Sequence, residues 1–477
     1  MNHIYSVIFI FLLSACGSDS KDSADDAQPR PDDQGSTMND LNLQPIIASE
    51  GIFSGRLGEI TSFEKVVQLD NDRLLILGES SHLAENGTLN GFSAITNKQG
   101  SVYYLDYNSG GYIDACVHPS GEYSLGVFLY SDSESHHVEI QRYSADSQLL
   151  YSAPMLATTL EQEYLIPFSE EEWLTSPFEI VENPYTNIDQ RYSQNAVSWG
   201  RFGAVTFNCE QEELLVAFNN DGQKLAKYGI DLTFQWEKVI SIYYWDNSNR
   251  GDGTAQISHS QDGDIYIVDT LTTNAIPAYN HRFESNITQV ENTRPTTSHI
   301  LFKHLDAQGN LIEERLISSI HSHFLKDIAL YNHQLFIGSI GHITKSDELN
   351  NTRELDISLI NINTLDYTYS QEWHNLNKED WLNGLTLDGD SLYLFGHTGG
   401  SQVDSNSWVS DTEAFYAKYD IEQQSLAVAT TIKTDRSSEI KDLIASEGKV
   451  TAVGVSNAPL THTTDISRQA LFISQQY

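Results

Sequence analysis

The sequence predicts an all-β protein built as a β-propeller, a radial array of four-stranded sheets. From residue 41 onward, short runs rich in Val, Ile, Leu, Tyr and Phe alternate with polar turn residues, and a helical pattern is suggested only near residues 170–174. One unit also recurs along the chain: an apolar strand, a tight polar turn, and a second strand that often ends in Gly. Repetition of one strand unit in this way is typical of propellers.

The recurring turns set the size of the repeat. They are Asn71-Asp72, Ser120-Gly121, Gln211-Glu212, Asp262-Gly263, His333-Gln334, Gly389-Asp390 and Glu447-Gly448. Most are separated by about 50 to 60 residues, which is enough for four short strands, and longer steps indicate insertions at 156–197 and near 270–298. We therefore predict seven four-stranded blades over residues 41–477, with six or eight as the open alternatives.

The last repeat is short of one strand, because the chain ends at Tyr477 soon after the apolar run ALFIS. The segment LQPIIASEGIF at 43–53 lies outside the repeats and has the composition of a strand. We predict that it completes the last blade by pairing the two ends of the chain, which would leave few unpaired sheet edges.

One repeat resembles a known family. The runs GDSLYLFGHT at 389–398 and EAFYAKYD at 413–420 are similar to the repeat of bacterial seven-bladed propellers of the SBBP type, and residues 264–270 with 300–309 resemble it less closely. The resemblance implies the propeller fold. It implies little about function, because one fold hosts many functions.

The N-terminal sequence predicts export of the protein and its attachment to a membrane. Residues 4–13 form an apolar run that is long enough for a signal peptide and too short to span a bilayer. The following Leu13-Ser14-Ala15-Cys16 resembles the lipobox of bacterial lipoproteins, which implies removal of residues 1–15 and lipidation of Cys16. No Lys or Arg precedes the apolar run, so an ordinary secretory signal is the alternative.

The residues after the lipobox refine this prediction. Gly17 stands where an Asp would resemble an inner-membrane retention signal, so we expect attachment to the outer membrane of the cell envelope, with the periplasmic or surface side left open. Residues 16–40 contain seven Asp and few apolar residues, a composition that cannot bury enough surface to order itself. They are predicted to be a flexible tether.

Net charge restricts the partners. The chain has 66 Asp plus Glu against 27 Lys plus Arg, a formal net charge of −39. Nucleic acid is excluded as a natural partner because phosphate binding requires basic surface. Charge alone also disfavours adhesion to anionic lipid, so the lipid anchor is the predicted membrane contact.

Three acidic residues fall at about the same place in the innermost strands of three repeats: Asp114, Asp327 and Asp442. Converging there, near the mouth of the central channel, their carboxylates would repel one another and favour a cation or a basic ligand. The alternative is that strands lining a wet channel simply carry polar residues.

Other candidate binding residues lie near the same mouth. The pair His321 and His323 alternates along a strand, which places both imidazoles on one face in a workable metal geometry, although no third ligand is identifiable. Trp381 enters another innermost strand and could add aromatic surface. Long connections follow several second strands, and such loops on a rigid scaffold commonly carry binding sites; they are 79–91, 270–298, 339–354, 398–413 and 456–468.

Two further patterns concern metal and redox chemistry. Asp246, Ser248 and Asp252 belong to an oxygen-rich loop that partly matches calcium loops, with a plain turn as the alternative, so calcium is the one cofactor to consider. Cys116 and Cys209 are the cysteines outside the lipobox and fall near innermost strands of neighbouring repeats. An exported chain with two such thiols favours one disulfide, which sequence alone leaves open.

The sequence contains no G-x-S-x-G, H-E-x-x-H or P-loop motif. We therefore predict no catalytic residues and a non-enzymatic binding or scaffolding module for an envelope protein or glycan. The alternative is an exported hydrolase or lyase that acts on polysaccharide.

Overall fold

The computed structural model is a β-propeller of antiparallel sheets that mostly have four strands. It describes residues 39–40, 43–46, 52–54, 60–83, 89–98, 102–108, 111–129, 137–155, 205–219, 223–241, 255–288, 293, 297–319, 321–344, 353–376, 380–399, 401–404, 407–409, 412–432, 437–459 and 466–476. Several predicted features lie outside these residues: the signal peptide with Cys16, the insertion at 156–197, the helical pattern at 170–174, and the loop of Asp246, Ser248 and Asp252.

The strands are named in chain order, and the sheets take the letters A to G. The N-terminal segment forms β1 (Asn39–Asp40), β2 (Leu43–Ile46) and β3 (Ile52–Ser54). Sheet A contains β4 (Ile60–Gln68), β5 (Arg73–Leu83), β6 (Leu89–Asn97) and β7 (Val102–Asn108). Sheet B contains β8 (Tyr112–Val117), β9 (Tyr123–Leu129), β10 (His137–Tyr143) and β11 (Leu149–Pro154). Sheet C contains β12 (Val205–Asn208), β13 (Leu214–Asn219), β14 (Gln223–Tyr228) and β15 (Phe234–Ser241).

The remaining sheets follow the same order. Sheet D contains β16 (Gln256–His259), β17 (Ile265–Thr272), β18 (Ser298–Leu305) and β19 (Leu311–Ile317), with helix α1 (Ile276–Phe283) between β17 and β18. Sheet E contains β20 (Ser322–Tyr331), β21 (Gln334–Thr344), β22 (Arg353–Asn363) and β23 (Tyr369–Asn375). Sheet F contains β24 (Asp380–Asp388), β25 (Ser391–Thr398), β28 (Glu413–Asp420) and β29 (Ser425–Ile432), with the separate hairpin of β26 (Ser401–Asp404) and β27 (Ser407–Val409) inserted. Sheet G contains β30 (Ser438–Ser446), β31 (Lys449–Pro459) and β32 (Ile466–Gln476).

The N-terminal strands add to the outer edges of the last three sheets. Strand β1 pairs in parallel with β23, β2 pairs in parallel with β29, and β3 pairs antiparallel with β32. Sheet G therefore contains three strands from the C-terminal end of the chain and one from the N-terminal segment.

The first strands line the centre of the propeller. Each packs beside the first strand of the next sheet, and β30 of sheet G lies beside β4 of sheet A. The predicted tight turns all join first to second strands, and together they define the tight-turn face. The opposite face, where the second strands end and the first strands begin, is called the long-loop face.

Apolar side chains from adjacent sheets interlock to form the core. One cluster joins sheets E and F, with Phe336 and Ile357 packed against Leu382 and Leu394, and another joins sheet G to sheet A through Val453. These side chains are almost fully buried, and burial of each is worth roughly 1.5–3 kcal/mol. The sheets are therefore held mainly by face-to-face apolar packing.

Two glycines that the sequence places at the ends of second strands lie inside β25 and β31 and have a specific role. A side chain at Gly396 would place its Cβ 1.9 Å from the Trp381 carbonyl oxygen, and one at Gly454 would place it 2.0 Å from the Glu439 carbonyl oxygen. Gly396 pairs with Leu382 and Gly454 with Ile440, immediately before register shifts in the first strands. Glycine is needed because the bulged first strand approaches the second too closely for any side chain.

Two expectations about the connections need correction. The long connection in sheet D contains helix α1, which begins at Ile276 with Pro277 in its first turn and buries Tyr279 against the sheet. Eight residues are too few for a helical period to be read from sequence. Second strands also continue into the segments predicted as loops: β5 extends to Leu83 within 79–91, and β21 extends to Thr344 within 339–354.

Helix α1 is held by a buried polar contact. Lys303 Nζ lies 3.3 Å from Glu314 Oε1 and 4.4 Å from the ring centroid of Phe283, and the hydroxyl of Tyr279 donates to Glu314. Among the described residues, no helix has the length and apolar character needed to cross a bilayer.

Candidate functional site

The three predicted carboxylates are brought into equivalent positions, and each links two sheets. One oxygen accepts the N–H of the following residue, at 2.8, 2.8 and 2.9 Å for Ala115, Ile328 and Leu443. The other oxygen accepts an N–H from the first strand of the next sheet, at 2.7, 2.9 and 2.9 Å for Phe207, Leu385 and Val66. Asp114, Asp327 and Asp442 therefore bind backbone amides of this chain. Their placement explains why the same residue type recurs in these innermost strands.

A lysine of this chain lies among the three carboxylates. Lys65 Nζ lies 2.9 Å from Asp114 Oδ1, and the lysine immediately precedes Val66, whose N–H binds Asp442. Burial would lower the pKa of Lys65, but the charges of Asp114, Asp442 and Asp327 raise it above its ordinary value. Lys65 is not among the residues predicted above, although SFEKV at 62–66 aligns with FLKDI at 324–328 and places Lys65 where Asp327 stands.

Burial raises the pKa values of Asp327 and Asp442. It raises the pKa of Asp327 to about 7, against the opposing effects of the Leu385 amide and Lys65. Burial also raises the pKa of Asp442, opposed by Lys65 and the Val66 amide. The single lysine does not offset the burial of both groups, so part of the cluster is poised to hold a proton near neutral pH.

The first strands of four consecutive sheets, E, F, G and A, carry one-residue bulges beside these carboxylates. The register shifts fall between Leu325 and Asp327, between Leu382 and Gly384, between Ile440 and Asp442, and between Phe63 and Lys65. The residues left out of the pairing are Lys326, Asn383, Lys441 and Glu64, all half-buried. Bulges re-aim side chains and are frequent near functional sites.

The bulged residues contact a second set of polar and aromatic groups. Asn383 Nδ2 donates to Glu439 Oε1 at 2.9 Å, and Lys441 Nζ lies 3.0 Å from the same oxygen. His397 Nδ1 lies 3.6 Å from Glu439 Oε1, and its ring stacks on Trp381 with centroids 6.0 Å apart. Lys326 Nζ lies 4.3 Å from the Trp381 ring centroid. We call Lys326, Trp381, Asn383, His397, Glu439 and Lys441 the bulge cluster.

The charge of Glu439 is set by its neighbours in the bulge cluster. Burial would raise the pKa of Glu439, but the nearby His397 side chain and the Lys441 charge hold it well below its usual range. Glu439 is therefore an anion that orients its neighbours. The cluster offers ammonium and amide donors, carboxylate acceptors and an aromatic ring near the long-loop face, a combination suited to a polar ligand.

The two predicted histidines both pack against Trp373. His323 is fully buried, its ring stacks on Trp373 at 5.4 Å, and its Nδ1 lies 3.0 Å from Ser339 Oγ. His321 packs edge-on against the same tryptophan at 5.9 Å. Burial lowers the pKa of His323 to about 3, so this ring stays neutral. Within the described ranges, no group of three or more His, Cys, Asp or Glu is arranged to hold a metal ion.

Cys116 and Cys209 are joined as a disulfide with their Cα atoms 5.6 Å apart. The bond connects β8 with the residue that follows β12, close to the Asp114 hydrogen bond to Phe207. His118 Nε2 lies 3.2 Å from Cys209 Sγ and 2.8 Å from Ser124 Oγ. Sheets B and C are thus joined covalently where a carboxylate already links them.

No protein-family model and no curated protein matches the chain. Solved structures match weakly: Sqt1 of Saccharomyces cerevisiae (8% identity, 88% of this chain, 97% of that chain, TM-score 0.39) and the Dos1 propeller (9%, 87%, 93%, 0.39). A protein of unknown function from Bacteroides caccae matches at 9% identity, covering 68% of this chain and 85% of that chain, with a TM-score of 0.35. These values carry no argument about function.

Proposed function

We propose that this protein is a lipid-anchored, non-enzymatic binding module of the bacterial cell envelope. Its lipidated Cys16 and acidic tether would hold the propeller near the outer membrane. The partner would be an envelope protein or glycan, bound on the long-loop face. The Leu13-Ser14-Ala15-Cys16 motif and the propeller scaffold support this proposal.

The proposal includes a closed ring in which sheets A to G are seven blades. Support comes from the hydrogen bond of Asp442 to the Val66 amide, which links sheet G to sheet A. The pairing of β3 with β32 supports it further, because it supplies the outer strand that the last repeat lacks. A closed ring gives the binding face a rigid base, since no first strand is left at an open edge.

The bulge cluster is the observation that carries the binding function. Four adjacent first strands depart from regular pairing at the same level, which weakens local backbone hydrogen bonding. In sheets E, F and G, Lys326 lies beside Trp381, and Asn383 and Lys441 lie beside Glu439, at one end of the channel. We infer that the partner offers both hydrogen-bond donors and acceptors to this cluster.

The experiment compares tagged full-length protein with a Trp381→Ala, Asn383→Ala double variant in membranes of the native cell. Purified peptidoglycan and lipopolysaccharide serve as glycan probes, and quantitative cross-linking detects protein partners. We expect the double variant to lose about tenfold in affinity for one class of partner, equivalent to about 1.4 kcal/mol. Trp236→Ala, on the outer strand β15, is the matched control. Equal binding by all three proteins would contradict the assignment of the site.

The anchor is tested separately with Cys16→Ser. This variant should leave the membrane fraction after a high-salt wash, because the thiol that accepts the lipid is gone. Retention in the membrane would refute the lipoprotein proposal and leave the binding site untouched. Release of reducing or unsaturated sugar ends from the glycan probes would instead favour the polysaccharide hydrolase or lyase.

A further inference from the structure

The exposed large apolar side chains of the described residues share one structural position. All lie in the hairpins that join third to fourth strands, and each residue has between 42% and 69% of its surface exposed. They are Tyr103, Tyr104, Leu149, Leu150, Tyr151, Ile230, Leu311, Ile312, Leu365 and Tyr369. We call them the apolar collar.

The apolar collar runs through five consecutive sheets, A to E. Its hairpins lie beside the tight turns: the Thr364 N–H of the sheet E hairpin donates to the His333 carbonyl oxygen in the neighbouring turn. The collar therefore follows the outer rim of the tight-turn face, at the opposite end of the first strands from the bulge cluster. It is a separate surface from the site of the proposed function.

The folding of the sheets does not account for these exposed residues. Isolated exposed apolar residues are normal on any protein, but these repeat at equivalent positions in neighbouring sheets. Sheet F gives an internal comparison. In its hairpin Ile421 is buried and Leu426 is half-buried, and its outer strand β29 is covered by β2.

Charge near the apolar collar restricts what can cover it. The hairpins of sheets B to E each contain one turn aspartate: Asp146, Asp231 and Asp366 are exposed, and Asp306 is half-buried. Asp306 and Asp366 accept the N–H groups of Gln308 and Thr368, so these carboxylates are built into the turns. A partner must therefore meet apolar side chains and carboxylates together. A second copy of this chain or an anionic bilayer would add negative charge to a protein that already carries −39.

We propose that the apolar collar is a docking surface for a protein partner whose facing surface combines apolar side chains with Lys or Arg. Burial of the collar supplies the affinity, because apolar area removed from water is the main favourable contribution to association. The turn carboxylates select the basic partner and speed its approach.

The test uses the full chain and three fluorescent helical peptides: Leu/Lys, Ser/Lys with the same charge, and Leu/Glu with the same apolar face. Anisotropy should show Leu/Lys binding at least about tenfold more tightly than either of the others. Replacing Leu149, Leu150, Leu311 and Ile312 together by Ser should weaken Leu/Lys binding by about tenfold or more. Tyr104→Ser, a single change, should weaken it by a smaller factor and guards against misfolding of the quadruple variant.

The control is Phe324→Ala, which removes aromatic surface near the start of β20, at the opposite end of the first strands from the apolar collar, and should leave Leu/Lys binding unchanged. Equal binding of Leu/Lys and Ser/Lys, or no effect of either collar variant, would overturn the proposal. Collar-dependent binding to neutral phosphatidylcholine–phosphatidylethanolamine vesicles without peptide binding would identify a membrane face instead. Collar-dependent dimers in sedimentation would identify self-association. Both results would refute a basic protein partner.

Discussion

Replacing Asp327 by Asn tests the buried carboxylate cluster. Asp327 accepts the amides of Ile328 and Leu385, and its pKa is raised to about 7 from 3.8 chiefly because it is buried. Between these two values the folded protein holds a proton that the unfolded chain has released. The stability that this group contributes is therefore present at low pH and is lost as the pH rises towards 7.

The size of the effect follows from the two pKa values. With one ionisable group shifted from 3.8 to about 7, the free energy of unfolding falls by about 2.5 kcal/mol between pH 5 and pH 8. Asn carries no charge at either pH, so Asp327→Asn removes this loss. The variant also replaces an acceptor facing the Leu385 amide with a donor, a cost of roughly 1–3 kcal/mol that does not depend on pH.

Urea denaturation followed by tryptophan fluorescence measures the difference. We expect the stability of the variant relative to the wild type to rise by about 2.5 kcal/mol from pH 5 to pH 8. Comparison with the wild type matters because burial also raises the pKa of Asp442 and that of Asp269, the latter to about 6. Asp366→Asn is the control, since hydrogen bonds from Thr368 lower the pKa of this exposed group and keep its titration below the tested range. A relative stability that is the same at both pH values would refute the reasoning.

Two other predictions concern how the ring is held together. Removing the disulfide with Cys116→Ser and Cys209→Ser should lower the free energy of unfolding by about 4–5 kcal/mol, the chain-entropy value for a loop of this length. Reduction of the wild type with dithiothreitol should cause the same loss. An unchanged urea midpoint would contradict this prediction. Deleting residues 41–55 removes β2 and β3 and should lower the melting temperature and promote aggregation, because the edges of β29 and β32 lose their partners. Deleting 17–36 should change neither property, and equal melting temperatures for the two deletions would refute closure by the N-terminal segment.

The repeated turns and alternating strands were enough to predict a propeller with four-stranded antiparallel blades. These features are local: a tight turn needs particular residues, and a half-buried strand needs apolar side chains at alternate positions. The sequence also placed Asp114, Asp327 and Asp442 at equivalent positions. It did not reveal their partners, because backbone amides from the next sheet have no sequence signature.

The tertiary structure decided which groups meet across sheets. Lys65 and Asp442 are 377 positions apart in the chain, yet Val66, next to Lys65, binds Asp442 because sheets A and G are neighbours. The sequence predicts that a strand ends at Gly396, whereas β25 continues to Thr398, and only the bulge packed against Gly396 explains why no side chain fits there. For His321 and His323, the sequence alternation predicts that both rings lie on one face of the strand, and both contact Trp373. The burial of His323 beneath that tryptophan depends on the tertiary structure. Local backbone preferences are encoded along the chain, whereas contacts between sheets depend on how the whole ring brings distant residues together.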